Sequence, residues 1–147
     1  MKQGKQSGFT VIELVVALTI VCLLIAVAVA SFYDHMSRKA RTQARSALME
    51  VAEALHLHQA RTGSYQVEFL PITQSPRDGD ALYRISLAKT AISANDPKAV
   101  FPATSEQAFT LKAVPVGEDA CGTLLLDQAG RPGVLGPEAK LADCWPK

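Results

Sequence analysis

Gly8-Phe9-Thr10-Val11-Ile12-Glu13-Leu14-Val15-Val16 opens the stretch whose reading decides the fold. From Leu14 to Tyr33 there is no charged residue, and Val, Leu, Ile and Ala dominate. At about 1.5 Å per helical residue, this run is long enough for a hydrocarbon core roughly 30 Å thick. Upstream, Met1 to Gly8 is a short polar head carrying Lys2 and Lys5, the pattern of an export signal or of an anchor's cytoplasmic tail. Ala26-Val27-Ala28 and Ala28-Val29-Ala30 offer a small-x-small cleavage site, and a signal peptidase cut there would release a secreted binding domain. Glu13 speaks against that fate, because an ionised carboxylate at mid-membrane costs on the order of 2–3 kcal/mol and marks function by default. An acid close to the helix start can also reach the headgroups and interact favourably with the helix dipole. The residues alone leave both readings of Glu13 open.

Beyond Tyr33 the composition changes but the helical period continues. Met36, Ala40, Ala44, Leu48, Val51, Leu55 and His58 fall at steps of three and four on one face. No Pro occurs before Pro71, and Gly63 stands where a C′ glycine ends a helix. The pattern predicts one helix from Phe9 to Thr62, roughly 80 Å long at 1.5 Å per residue. Its first half is apolar all round and its second half carries a single apolar stripe.

The region from Ser64 to Lys147 contains all eight prolines, so regular structure there is short. Leu82–Leu87 and Phe109–Val114 alternate apolar and polar residues, as half-buried strands do. Cys121 to Leu126 reads as a more buried strand, Asp127 to Gly130 as a turn, and Val134-Leu135 as the returning hairpin partner. Tyr65 to Ala81 and Thr90 to Glu106 read as loops. The expected fold class is α+β, a long N-terminal helix packed on a small antiparallel sheet.

The chain is 48% hydrophobic and 20% charged, with a formal charge of +1. Wholesale disorder is excluded, and bulk electrostatic binding of nucleic acid is disfavoured. No constellation points to catalysis. His56 and His58 are two apart on a helix and do not face each other, and His35 is about six turns away. Asp78, Asp80, Glu118 and Asp119 are acids suited to a calcium site, but without EF-hand spacing they read as surface-loop acids. Ser64 and Ser86 lack a nucleophile elbow. The reading calls for no cofactor and no metal. Arg38, Lys39, Arg41 and Arg45 follow the apolar run directly, which places more basic residues beyond it than ahead of it, against the positive-inside expectation. Arg38, Arg41 and Arg45 share one side of the helix. They suit a solvated face, lipid phosphates, acids of neighbouring subunits or, in last place, DNA.

Gly8-Phe9-Thr10-Val11-Ile12-Glu13-Leu14, between a short basic leader and an uninterrupted apolar helix, resembles the prepilin motif of type IV pilins and of type II secretion pseudopilins. Cys121-Gly122-Thr123-Leu124-Leu125-Leu126-Asp127-Gln128-Ala129-Gly130, with Ala142-Asp143-Cys144-Trp145 near the end, resembles the PilE-like branch of minor type IV pilins. The first resemblance implies that a prepilin peptidase cuts between Gly8 and Phe9 and methylates Phe9, and that Glu13 is the assembly glutamate. It implies a cleaved leader over 1–8, a membrane and assembly helix over 9–33, the amphipathic half of that helix over 34–63, and a periplasmic or extracellular globular domain over 64–147. The implied partners are the prepilin peptidase, other pilin subunits and the membrane platform with its ATPase. The implied location is the inner membrane with the N-terminus cytoplasmic, then the filament. Pilins commonly tie a C-terminal loop to the sheet, which implies a Cys121–Cys144 disulfide. Such a loop contributes about 3 kcal/mol in the chain-entropy account and needs an oxidising compartment. Cys22 is left as a small lipid-facing residue. The expected function is a minor pilin and not an enzyme. A pseudopilin or a released secreted domain are the alternatives.

Overall fold

The computed structural model describes residues 10–95 and 99–145. The chain divides into two compact units at the Met36–Ser37 step, and helix α1 (Val11–Thr62) runs through both. Thr10 caps the helix: its carbonyl accepts the Leu14 N–H at 3.2 Å and its hydroxyl accepts the Glu13 N–H at 3.4 Å, which satisfies amides that a helix start leaves open. In the first unit the large apolar side chains of α1, among them Leu14, Leu18, Ile20, Leu23, Leu24 and Val27, are about half exposed or more. Thr19 keeps its hydroxyl within the helix by donating to the Val16 carbonyl at 2.7 Å. A helix so uniformly apolar needs lipid, or other helices, around it.

In the second unit the rear half of α1 buries Ala40, Ala44, Ala47, Leu48, Val51 and Leu55. The expected stripe therefore holds from Ala40 to Leu55, while Met36 is exposed and His58 half-buried. Gly63 ends the helix at φ +80°, its N–H donating to the Gln59 carbonyl at 2.8 Å, an αL cap that costs glycine little.

Seven strands follow: β1 (Gln74–Ser75), β2 (Tyr83–Leu87), β3 (Ile92–Ser93), β4 (Val100–Phe101), β5 (Thr110–Pro115), β6 (Leu124–Asp127) and β7 (Pro132–Val134), then the short helix α2 (Leu141–Cys144). β1, β2, β5, β6 and β7 form one antiparallel sheet in that order, and β3 pairs with β4 separately. The pleat sends Tyr83, Ile85, Leu111, Ala113, Leu124, Leu126 and Val134 into the core that the α1 stripe also enters. The α+β expectation is met, and the strands expected around 82–87, 109–114 and 121–126 are present, the last beginning three residues later at Leu124.

The expectation of loop needs correction at Gln74–Ser75, within Tyr65 to Ala81, which pairs with β2 at the sheet edge, and again in Thr90 to Glu106. Its β3–β4 pair covers the outer side of the sheet, where Phe101 and Leu125 are fully buried apart from the main core. The Phe101 ring lies so close to Gly133 that a Cβ there would stand 2.5 Å from Cζ. Thr110, also on the outer face, donates its hydroxyl to the Pro102 carbonyl at 2.7 Å. Strands of two residues leave too short a period to be read in a sequence.

Candidate functional site

Glu13 occupies the first turn of α1, exposed, three residues after its capping threonine. Thr10-Val11-Ile12-Glu13 has the spacing of a capping box, and the Thr10 hydroxyl makes its half of it by accepting the Glu13 N–H. Among the described residues the Glu13 carboxylate has no hydrogen-bond or ion-pair partner. Gly8 and Phe9, the expected cleavage and methylation positions, lie outside the described residues.

Some distance along the chain, the C-terminal segment is fixed to the sheet. Cys121 and Cys144 are disulfide-bonded with their Cα atoms 5.7 Å apart, both buried. Asp119 organises this corner: its carboxylate accepts the Cys121 N–H at 2.8 Å and the Arg41 Nε at 3.0 Å to each oxygen. Arg41 and Asp119 are both largely buried, with side-chain exposures of 17% and 7%, so this is an internal tie between helix and loop. Gly122 at φ +59° and Gly136 bring two backbone segments together, since a Cβ on Gly136 would stand 2.4 Å from the Ala120 carbonyl oxygen. Trp145 donates its indole N–H to the Gly133 carbonyl at 3.2 Å and carries the Arg45 guanidinium 5.0 Å over its ring. Burial, then the negative charge of Asp119, pushes the Tyr83 phenol well above its ordinary range. Its hydroxyl is enclosed without a hydrogen bond of good geometry among the described residues.

The remaining chemistry-bearing residues are dispersed. His56 shares a 3.0 Å hydrogen bond between Nδ1 and the Tyr65 hydroxyl and packs edge-on against Tyr65 and Phe109. Of the four acids considered for calcium, Asp119 is committed to Arg41. No group of three or more metal-ligating side chains occurs among the described residues. Asp127, buried under the β6–β7 turn, accepts the Ala129 and Arg131 N–H groups and the Arg131 guanidinium at 2.6–3.0 Å. Sequence reading missed the Arg41–Asp119 tie and the Asp127 anchor. The available signal was an Asp two residues before a Cys and an Asp opening a turn, both positions where a carboxylate caps nearby amides. Cys22 is free and exposed on α1.

A membrane-length helix that continues into a disulfide-closed antiparallel sheet is the build of a type IV pilin, and a prokaryotic N-terminal methylation motif matches residues 3–29. The chain belongs to the family described as type IV minor pilin ComP, DNA uptake sequence receptor, which matches residues 30–125. Comparison with curated protein sequences finds no match. Among solved structures, a type IV pilin from Shewanella oneidensis is 27% identical, covering 76% of this chain and 99% of its own, with a TM-score of 0.47. The Neisseria meningitidis non-core minor pilin PilV is 16% identical, covering 72% of this chain and 93% of its own, with a TM-score of 0.48. The family is one of structural pilus subunits, anchored by an apolar N-terminal helix.

Proposed function

We propose that the chain is made as a prepilin, cut between Gly8 and Phe9 by a prepilin peptidase that also methylates Phe9, and held in the inner membrane with its N-terminus cytoplasmic. The pilus assembly platform and its ATPase then draw it into the filament as a minor subunit. Its role is structural, with no catalytic step. The proposed boundaries are a leader over 1–8, a membrane and assembly helix over 9–33, its amphipathic half over 34–63 and an outer domain over 64–147. The observation that carries this reading is α1 itself, exposed and apolar through its first half, with one acid near its start and a stripe buried under a sheet in its second half. The proposed role of Glu13 is to pair with the amine of Phe9 in a neighbouring subunit and so fix axial register between smooth helices, a specificity role open to buried ion pairs. The test is mass spectrometry of the protein recovered from sheared filaments. A mature chain starting at N-methylated Phe9 is expected, and Gly8→Val is expected to keep Lys2 and Lys5. A start at Val29 or Ser31 contradicts the reading.

DNA is the proposed extracellular ligand, by extension from the family's description. One observation favours a site on the sheet rather than on the helix: Arg84 and Lys112 lie on the outer face of β2 and β5, on alternate register pairs free of acids (Arg84 with Val114, Ser86 with Lys112). Phosphate contacts of this kind weaken steeply with salt. Mature protein in detergent should bind duplex DNA with a salt dependence that becomes shallower in Arg84→Gln and Lys112→Gln. Unchanged binding in both variants counts against that face.

A further inference from the structure

Within the second unit, a cavity of about 500 Å³ is lined by Arg38, Arg41, Thr42 and Arg45 of α1 and by Asp143 and Cys144 of α2. We propose that it binds the phosphate of an anionic phospholipid headgroup while the subunit stands in the membrane. Three arginines and one carboxylate line it. At i, i+3 and i+7 they share one side of the helix, beside the buried stripe. Arg41 is held by Asp119 through Nε, and Arg45 is laid over the Trp145 ring, so two of the three guanidinium groups are positioned before any ligand arrives. Arginine's planar fork matches a phosphate in a way that a lysine ammonium does not.

Arg38 stands five residues beyond Tyr33, the end of the charge-free run. Along the chain it is therefore among the first cationic residues past the membrane-length run. A concave site suits one phosphate and its glycerol better than the extended backbone of a duplex. Basic residues directly after the apolar run, opposite to the positive-inside pattern, gain a function from such a ligand. The proposal rests on membrane insertion of the apolar half and not on filament membership.

The experiment is native mass spectrometry of the full mature chain released from nanodiscs of phosphatidylcholine with a minor share of phosphatidylglycerol. Wild type should retain phosphatidylglycerol in preference to phosphatidylcholine. Arg38→Gln, at an exposed position, should lower that retention about fivefold, the scale of one basic residue at an anionic surface. Arg38→Lys should be intermediate. Lys39→Gln removes the same charge outside the lining and should leave retention unchanged. Equal losses in Lys39→Gln and Arg38→Gln would show diffuse attraction and overturn the proposal, as would equal retention of the two lipids. Displacement of the lipid by inorganic phosphate would identify a free-anion site, and displacement by a short duplex a DNA site, either of which also overturns it. Failure to enter filaments with lipid retention intact would count against the pilin reading alone.

Discussion

Asp119 is positioned to do two jobs with one carboxylate, and its variants separate them. Asp119→Ala loses both the Arg41 tie and the Cys121 cap, leaving a largely buried guanidinium without its counter-charge. It should destabilise the outer domain by about 1.5–3 kcal/mol, the range for hydrogen bonds to charged groups. Asp119→Asn keeps an oxygen for the Cys121 N–H and should fall between Ala and wild type in thermal unfolding. Tyr83 makes a separate prediction in pH. Its phenol is raised above the ordinary value of 10.0 in the folded state, so between those two values the folded chain holds a proton that the unfolded chain has released. The stability this contributes is complete below pH 10 and is lost as pH rises above it. Wild type should therefore lose melting temperature above about pH 10 more steeply than Tyr83→Phe. Superimposable slopes for the two proteins would remove the effect.

At the scale of elements, α1 joins two physical regimes in one period. The buried stripe is built of small side chains at Ala40, Ala44 and Ala47 and of bulkier ones at Leu48, Val51 and Leu55. Leu48→Ala, at a fully buried position, should cost about 2–5 kcal/mol in denaturant unfolding of the outer domain. Met49→Ala, one residue along and 52% exposed, should cost little. This helix was legible because both halves keep a strong pattern over many residues, and Gly63 marks its end. The strands at Tyr83–Leu87 and Thr110–Pro115 were legible by alternation. The β3–β4 cover was not, because two-residue strands carry no period and Phe101 reveals its burial only when it meets Gly133 across 32 positions of chain. For the same reason the pairing of Arg41 with Asp119, separated by 78 positions, was invisible although both residues were noted. Glu13 stood out for the opposite reason, since an acid beside an apolar run is conspicuous without any tertiary partner, and its role remains a proposal.

At the scale of the whole molecule, the Cys121–Cys144 bond closes the C-terminal segment of the domain that follows α1. Cys144→Ser should lower stability by about 2–4 kcal/mol while membrane insertion, which belongs to the first half of α1, persists. Reduction of the wild-type protein should reproduce that loss in thermal unfolding. The central claim is that the apolar half of α1 is an assembly surface and that Glu13 supplies its register. The most direct measurement compares wild type and Glu13→Ala by quantitative mass spectrometry in sheared filaments and in the membrane pool from the same cells. The account predicts wild type in both fractions and Glu13→Ala processed and present in the membrane but strongly depleted from filaments, with Glu13→Asp between them. Equal incorporation of Glu13→Ala, or absence of the wild-type chain from filaments, would contradict it.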